Sequence, residues 1–181
     1  MASSSLFCIL IFMTTAIDVH MIGNVIGFLT ACIAVNATLN IFYEIKRAYG
    51  LERYDRPFDM GWHLFGNRLL GQSTTWGGLI ICLVFGLVLH VVPGMPGLTI
   101  GLGCFFGHAM GSFIKRRFGF PRGAYFPFVD HGDYVIFTGF LMVVGGYLTA
   151  VEYAFSIIII LIVHPLLCLA AYKMGFRDNP L

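Results

Sequence analysis

Charged side chains are rare in this sequence, and six of them lie in one stretch, residues 107–133. Only 11% of the residues are charged, and the stretch lies between two apolar segments. Its charged residues are Lys115, Arg116, Arg117, Arg122, Asp130 and Asp133. Basic side chains beside paired carboxylates are suited to holding phosphate groups and a divalent metal. We therefore expect the chemistry of the protein here.

The two carboxylates are the candidate metal ligands. Asp130 and Asp133 are three residues apart at the predicted start of a helix, so both can reach one ion. Mg²⁺ typically takes one or two carboxylates and completes its shell with substrate phosphates. The alternative is that both residues only cap the helix and complement its dipole.

The helix before this pair presents a candidate phosphate-binding face. His108, Ser112 and Lys115 follow one another at helical spacing, and Arg116 lies four residues after Ser112. The basic residues could instead fix the orientation in a membrane or meet anionic lipid head groups. For His108 we expect a hydrogen-bonded structural role, while its alignment with Ser112 keeps a role in the site open.

Two further polar positions could contribute. Thr74 and Thr75 directly precede an apolar run, where they can cap a helix or mark an anion site at its N-terminus. Asn36 and Asn40 share a face of an earlier apolar helix. Hydrogen bonding between helices and contact with substrate both remain open for these asparagines.

The composition predicts an all-α, polytopic membrane protein forming a single domain over residues 1–181. Hydrophobic residues make up 58% of the chain and the mean hydropathy is +0.84, values typical of membrane proteins. We predict five transmembrane helices, separated on one side by loops 44–76 and 115–133 and on the other by tight turns, the second at Glu152. The predicted spans are residues 19–43, 77–92, 98–114, 134–151 and 153–172.

The charge layout predicts the orientation. All eleven Lys and Arg residues fall in three segments, residues 46–68, 115–122 and 173–177. Five spans place these segments on one side, which the positive-inside rule makes cytoplasmic. We therefore expect an outside N-terminus, a cytoplasmic C-terminus and a site facing the cytoplasm, in a multi-pass protein of the cell membrane.

A family resemblance rests on the same residues. Gly111-Ser-Phe-Ile-Lys-Arg-Arg-Phe-Gly119, followed by Asp130-x-x-Asp133 at a helix start, resembles the archaeal CDP-archaeol synthases, which are related to the CDP-diacylglycerol synthases. Further matches are Arg68-Leu-Leu-Gly71, Thr75-Trp-x-Gly78 and Val35-Asn-Ala37. The similarity covers residues 30–175.

The resemblance implies a Mg²⁺-dependent transfer of CMP from CTP to an isoprenoid ether-lipid phosphate, with release of pyrophosphate. Lys115, Asp130 and Asp133 are then the expected catalytic residues, and the two aspartates hold the metal. The expected substrate contacts are Ser112, Arg116, Arg68, Thr74, Thr75, Gly78 and Asn36. The chain departs from the family pattern where His108 replaces an acid and where Gln72, Thr74 and Gly77 replace charged residues.

The partners expected are CTP, a membrane lipid phosphate and the bilayer, without nucleic acid, and a homodimer remains open.

A CDP-alcohol phosphotransferase is disfavoured, because its D-x-x-D-G motif would need glycine where Tyr134 stands. The other alternative is a non-enzymatic transporter or lipid-binding protein. A transporter would show polar residues through the middle of the membrane and symmetric repeats, whereas here the polar residues concentrate at one side.

Overall fold

The computed structural model describes residues 19–121, 126 and 129–175. Five α-helices dominate this part of the chain, so the prediction of a helical fold is confirmed. They are α1 (Val19–Ala48), α2 (Trp76–His90), α3 (Gly97–Arg117), α4 (Val129–Val144) and α5 (Ala150–Lys173). Arg122 and residues 1–18 lie outside the described residues.

Three of the helices are long and apolar enough to cross a membrane, namely α1, α3 and α5. Helix α2 is apolar but has 15 residues, and α4 has 16, fewer than the roughly 20 that a straight span needs. Large apolar side chains of α5 face outward; Ile158, Ile162 and Leu166 are each about 60% exposed. An apolar exterior of this kind fits contact with lipid.

The turn between α4 and α5 was placed wrongly by the sequence. It occupies residues 145–149, and Glu152 lies within the first turn of α5. The Thr149 side chain accepts a hydrogen bond from the Glu152 N–H, and the Glu152 carboxylate accepts one from the Thr149 N–H, which forms a capping box. Glu152 also accepts from Asn24 of α1 at 2.7 Å. A charge that suggested a turn is therefore a buried helix cap.

The polar segment between α1 and α2 contains a short antiparallel hairpin that the all-α prediction missed. Strands β1 (His63–Leu64) and β2 (Asn67–Arg68) pair around a two-residue turn. Phe65 and Gly66 both have positive φ angles, 52° and 78°, as type I′ hairpin turns require. A 3₁₀ turn at Leu51–Tyr54 precedes the hairpin.

Helix α3 packs closely on both sides because glycines face its neighbours. A Cβ at Gly101 would lie 2.3 Å from the Cys82 carbonyl oxygen of α2. On the other side, Gly103 and Gly107 meet the backbone of α4, where a Cβ would lie 2.8 Å from the Thr138 Cα and 2.6 Å from the Tyr134 Cα, respectively. Small residues at such spacing let membrane helices approach closely, and here they hold α3 between α2 and α4.

The polar ends of the helices meet at one end of the bundle. The C-terminal ends of α1 and α3 lie beside the N-terminal ends of α2 and α4, as shown by hydrogen bonds from Lys46 to Thr75 and from Lys115 to Asp130. We call this the charged end. The sequence predicted that loops 44–76 and 115–133 share a side, and the two segments do come together here.

Candidate active site

Asp130 and Lys115 form an ion pair across the seam between α4 and α3. The Lys115 Nζ donates to Asp130 Oδ1 at 2.6 Å, and the Phe126 N–H donates to Oδ2 at 2.9 Å. The side chains of Lys115 and Asp130 remain 18% and 23% exposed. Each carboxylate oxygen can accept a further bond, so the pair is preformed and still accessible.

Asp133 lies one helical turn further on and joins a chain of side chains from three helices. Its Oδ2 lies 3.2 Å from Nδ1 of His108, and the Nε2 of His108 lies 3.0 Å from Oδ1 of Asn36. Asn36 is buried, so it takes part in the bonding between helices that the sequence left open. This geometry agrees with the structural role expected for His108. The residue also contacts Asp133, one of the two candidate metal ligands, directly.

Gly111 makes room for the Asp133 carboxylate. A Cβ at this position would lie 2.4 Å from Asp133 Oδ2, closer than such atoms come, so a side chain here would displace the carboxylate. The close packing of α3 on α4 therefore continues into the site and brings the acids of α4 against the basic end of α3.

The loop before α2 reaches the same seam through Ser112. The Thr74 hydroxyl donates to the Ser112 Oγ at 3.4 Å, and Gly71 lies against the same serine, where a Cβ would be 3.5 Å from that oxygen. Both threonine and serine were predicted as substrate contacts, and the fold brings them together. Their roles toward a substrate stay predictions.

The N-terminus of α2 already holds an anion, which is Asp55. The Gly77 N–H donates to Asp55 Oδ1 at 2.8 Å, and the Gly78 N–H donates to the Thr75 Oγ1 at 3.2 Å. Thr75 is therefore the N-cap of α2. A helix N-terminus favours an anion, and here the protein supplies its own at the Gly77 amide. The predicted contacts of Thr75 and Gly78 with a substrate stay predictions.

Lys46 completes this arrangement from α1. Its ammonium forms an ion pair with Asp55 and lies 3.4 Å from Thr75 Oγ1, and the residue is only 6% exposed. Burial of the carboxyl disfavours its ionisation, but hydrogen bonds from Lys46, Thr75 and Gly77 outweigh burial. The pKa of Asp55 is consequently lowered from its usual value.

Arg68 is engaged with Asp59 within the polar segment. Its Nε and Nη2 donate to the two oxygens of Asp59 at 3.2 and 3.0 Å, and the N–H groups of Leu70 and Gly61 each donate at 3.0 Å. Burial works against ionisation of this carboxyl as well, yet its four donors lower the pKa of Asp59. Arg68 therefore organises the segment, whatever contact it makes with a substrate.

The three consecutive cations at the end of α3 have different partners. Arg116 donates to the Phe120 carbonyl at 2.6 Å, within its own C-terminal turn. Arg117 turns to the hairpin and donates to the carbonyls of Leu64 and Arg68 at 2.5 and 2.7 Å. Of the three, Lys115 is the one paired with a candidate metal ligand.

A cavity of about 760 Å³ opens beside this seam, between α1, α5 and the polar segment. Its volume is typical of small-molecule sites. Asn36 and Tyr134 line it and connect it to the Asp133 chain, while His164 lines it from α5. Its charged lining residues are Lys46, Arg47, Arg53, Arg56, Arg68, Glu44, Glu52 and Asp55. The cations outnumber the acids, so the cavity favours an anionic ligand.

Sequence reasoning missed much of this cavity. Apart from Arg68, the charged residues of 46–68 served only to orient the chain, although five cations interleaved with acids in one polar segment were a visible signal. Lys46 and Asp55 were not singled out. Neither was His164, which lies in an apolar helix beside Pro165.

The fold and the site together define a helical intramembrane protein with a preformed cluster of acids and cations beside a cavity whose lining carries more cations than acids. The structure is similar to that of an intramembrane enzyme for archaeal membrane lipids biosynthesis, with a TM-score of 0.59 and 27% identity, over 77% of this chain and 89% of that one. The family model of the CarS-like proteins, CDP-archaeol synthase, matches residues 94–181.

Curated relatives agree. The CDP-archaeol synthase of Methanosphaerula palustris is 31% identical over 137 residues, which cover 64% of this chain and 82% of the relative. That of Halobacterium salinarum is 35% identical over 126 residues, 59% of this chain and 69% of the relative. The chain belongs to the CDP-archaeol synthase family. Its predicted class, a nucleotidyltransferase acting on a lipid phosphate, is confirmed.

Proposed function

We propose that this protein transfers CMP from CTP to an isoprenoid ether-lipid phosphate, producing a CDP-archaeol-type lipid and pyrophosphate. Membership of the family supports the reaction. The observation that carries the assignment to a site is the Lys115–Asp130 pair, because a cation and an acid beside an anion-binding cavity are the groups that nucleotidyl transfer uses.

The acids of α4 fit a divalent cation by their chemistry. Asp130 and Asp133 offer hard carboxylate oxygens, and glycine at position 111 leaves the space that a side chain would fill. Mg²⁺ is bound through one or two carboxylates plus substrate phosphates, so these two residues would hold it. When bound, the ion would neutralise charge on the triphosphate.

The reaction forms one P–O bond and breaks another. A phosphate oxygen of the lipid attacks the α-phosphorus of CTP in line, and the bond to the β-phosphate breaks as pyrophosphate leaves. Lys115 and Arg116 neutralise the phosphates, and Ser112 with Thr74 orients them. The protein supplies mainly position and charge, as in other phosphoryl transfers.

The two proposed substrates arrive from different phases, and the cavity has a polar side and an apolar side that suit them. Its cationic polar segment lies toward water and receives the triphosphate of CTP. The side formed by α1 and α5 is continuous with the apolar exterior of α5, where a lipid phosphate can enter from the bilayer. Asn36, Gly78 and Arg68 are retained as substrate contacts within this proposal.

The proposed topology has five spans, with the N-terminus outside and the charged end in the cytoplasm of a cell-membrane protein. The clustering of the cations supports this orientation. Exposed aromatics of the polar segment, Trp62 at 72% and Phe65 at 88%, suit the membrane–water interface. In a cysteine-free variant, Trp62→Cys should react with an impermeant thiol reagent from the cytoplasmic side and Val91→Cys from outside; the reverse would contradict the topology.

The direct test of the function is the incorporation of α-labelled CTP into lipid by the purified protein. Labelled CDP-lipid should form only with an isoprenoid ether-lipid phosphate and Mg²⁺, and pyrophosphate should appear in equal amount. Binding of the lipid without any transfer would favour a lipid-binding protein. Transfer to diacyl phosphatidic acid at an equal rate would overturn the proposed lipid specificity.

A further inference from the structure

A second group of potential ligands lies on the other side of α4, away from Lys115 and His108. It comprises His131, His164 and Cys168, whose ligand atoms lie within 4.8 Å of one another. Within residues 19–121, 126 and 129–175, no other three His, Cys, Asp or Glu side chains meet this condition. The proposed transfer reaction uses none of the three.

Both helices hold the ligands in fixed positions. His131 lies in the first turn of α4, between the two acids but directed toward α5, where its ring lies 5.1 Å from that of His164. His164 and Cys168 are four residues apart on α5 and so share one face. His131 is 5% exposed and Cys168 is 7% exposed, which shields the group from competing water.

A hydrogen bond prepares His164 as a ligand. Its Nδ1 lies 3.0 Å from the carbonyl oxygen of His131 and can only donate to it. The neutral ring then carries its proton on Nδ1 and presents the lone pair of Nε2. Metal-binding histidines are almost always oriented in this way, by a bond from the second nitrogen to a carbonyl or carboxylate.

We propose that His131, His164 and Cys168 bind a divalent transition-metal ion, for which Zn²⁺ is the best match, between α4 and α5. Two imidazole nitrogens and a thiolate are typical zinc ligands and poor ligands for Mg²⁺. Zn–N and Zn–S bonds of about 2.1 and 2.3 Å place tetrahedral ligands about 3.5 Å apart, so separations within 4.8 Å must contract by at most about 1.3 Å. Binding releases the Cys168 thiol proton to solvent.

The site has a consequence for the cavity. His164 and Cys168 both line it, so the fourth coordination position of the ion opens toward the anion-binding space. Three protein ligands with one open position are the pattern of zinc sites that take a water or a substrate oxygen. The ion would also join the start of α4, which carries Asp130 and Asp133, to α5.

Cobalt substitution tests the site without relying on catalysis. The purified full-length protein is stripped with a chelator and titrated with Co²⁺. We expect one tightly bound Co²⁺ per chain and a thiolate-to-cobalt charge-transfer band in the near ultraviolet. Cys168→Ala should abolish the band and weaken binding by at least about 100-fold, because even loss of an outer-shell partner costs up to that factor.

The matched control is Cys82→Ala, which removes a buried cysteine of α2 that is not among the three ligands. It should keep the band and the affinity. A band that survives in Cys168→Ala, or the absence of bound cobalt from the unaltered protein, would overturn the proposal and leave the two histidines as a hydrogen-bonded pair.

A second measurement covers the case in which Cys168→Ala does not fold. Zn²⁺ should raise the unfolding temperature of the unaltered protein and of Cys82→Ala, since a ligand bound only by the folded state stabilises it. The rise should vanish in His131→Gln. An equal rise in His131→Gln would place the zinc elsewhere and overturn the assignment.

Discussion

Two regions of the charged end contain aspartates paired with cations, and they differ in how many donors each acid has. In the polar segment, the side chain of Asp59 is 0% exposed and accepts four hydrogen bonds. On the α3–α4 seam, Asp130 has one cation and one backbone N–H as donors and remains 23% exposed. The residue types are the same, while the capacity left for a ligand is different.

The difference separates acids that shape the protein from acids that are free to react. An acid whose lone pairs are all used stabilises the fold, and replacing it leaves a buried partner without a bond. An acid that keeps accessible lone pairs can take a metal ion or meet a substrate. We infer that Asp55 and Asp59 build the site and that Asp130 acts in it. Asp133, the second predicted metal ligand, is 9% exposed and contacts His108, so its place among the reacting acids rests on its position beside Asp130.

The largest effect is expected for the acids of the seam. Asp130→Asn and Asp133→Asn should each reduce CMP transfer about 1000-fold, a loss of about 4 kcal/mol of transition-state stabilisation, as expected when a metal ligand is removed. Both variants should fold in detergent, which size-exclusion chromatography will show. Near-normal turnover with Mg²⁺ in either variant would mean that the acid only caps α4.

The second-largest loss of CMP transfer is expected when Lys115 is replaced. Lys115→Ala should cost about 2–4 kcal/mol of transition-state stabilisation in kcat/KM for CTP, the range for one preorganised donor. Arg117→Ala is the matched control, because Arg117 is bonded to the hairpin carbonyls and should affect transfer much less. Equal losses in the two variants would indicate that residues 115–117 act as a general basic patch.

Replacing Asp59 should affect stability rather than turnover, unlike replacing Asp130, Asp133 or Lys115. Asp59→Asn should lower the free energy of unfolding by about 2–3 kcal/mol, because hydrogen bonds to a charged, buried group are lost. Turnover per folded molecule should change little. The check is denaturant unfolding in detergent together with transfer assays on the same sample. A large fall in turnover with unchanged stability would place Asp59 among the reacting acids.

The smallest effect is a pH dependence of stability from the polar segment. The folded pKa values of Asp55 and Asp59 lie below the ordinary carboxyl value of 3.8. Their contribution is fully present above 3.8 and is lost as the pH falls through the lowered folded values. The unfolding temperature should therefore fall below about pH 4. Asp59→Asn should flatten this dependence, and an identical pH profile would refute the assignment.

The sequence could predict the helical fold and the meeting of its two polar loops, because hydropathy and the positions of Lys and Arg are read directly from the order of residue types along the chain. It placed Asp130 and Asp133 at a helix start for the same reason. The start of α4 is nevertheless five residues earlier than the predicted span. Asp130 and Asp133 both belong to the helix, where Asp130 faces Lys115 and Asp133 faces His108 of α3.

Tertiary contacts set what the sequence could not predict. Asp55 is 22 residues from Gly77, whose amide it occupies, and no local pattern predicts that bond. The glycines at 103, 107 and 111 did carry a signal, since small residues four apart indicate close helix packing. That spacing predicts that α3 packs closely against a neighbouring helix, and the structure shows that this helix is α4.

The distinction between the two sets of acids can be tested directly by metal binding. Mn²⁺ in place of Mg²⁺ allows its affinity in the presence of CTP to be measured by electron paramagnetic resonance. We expect Asp59→Asn to bind Mn²⁺ as the unaltered protein does, whereas the double variant Asp130→Asn/Asp133→Asn should lose the binding. Unchanged affinity in the double variant, or its loss in Asp59→Asn, would show that the two sets of acids do not differ in this way.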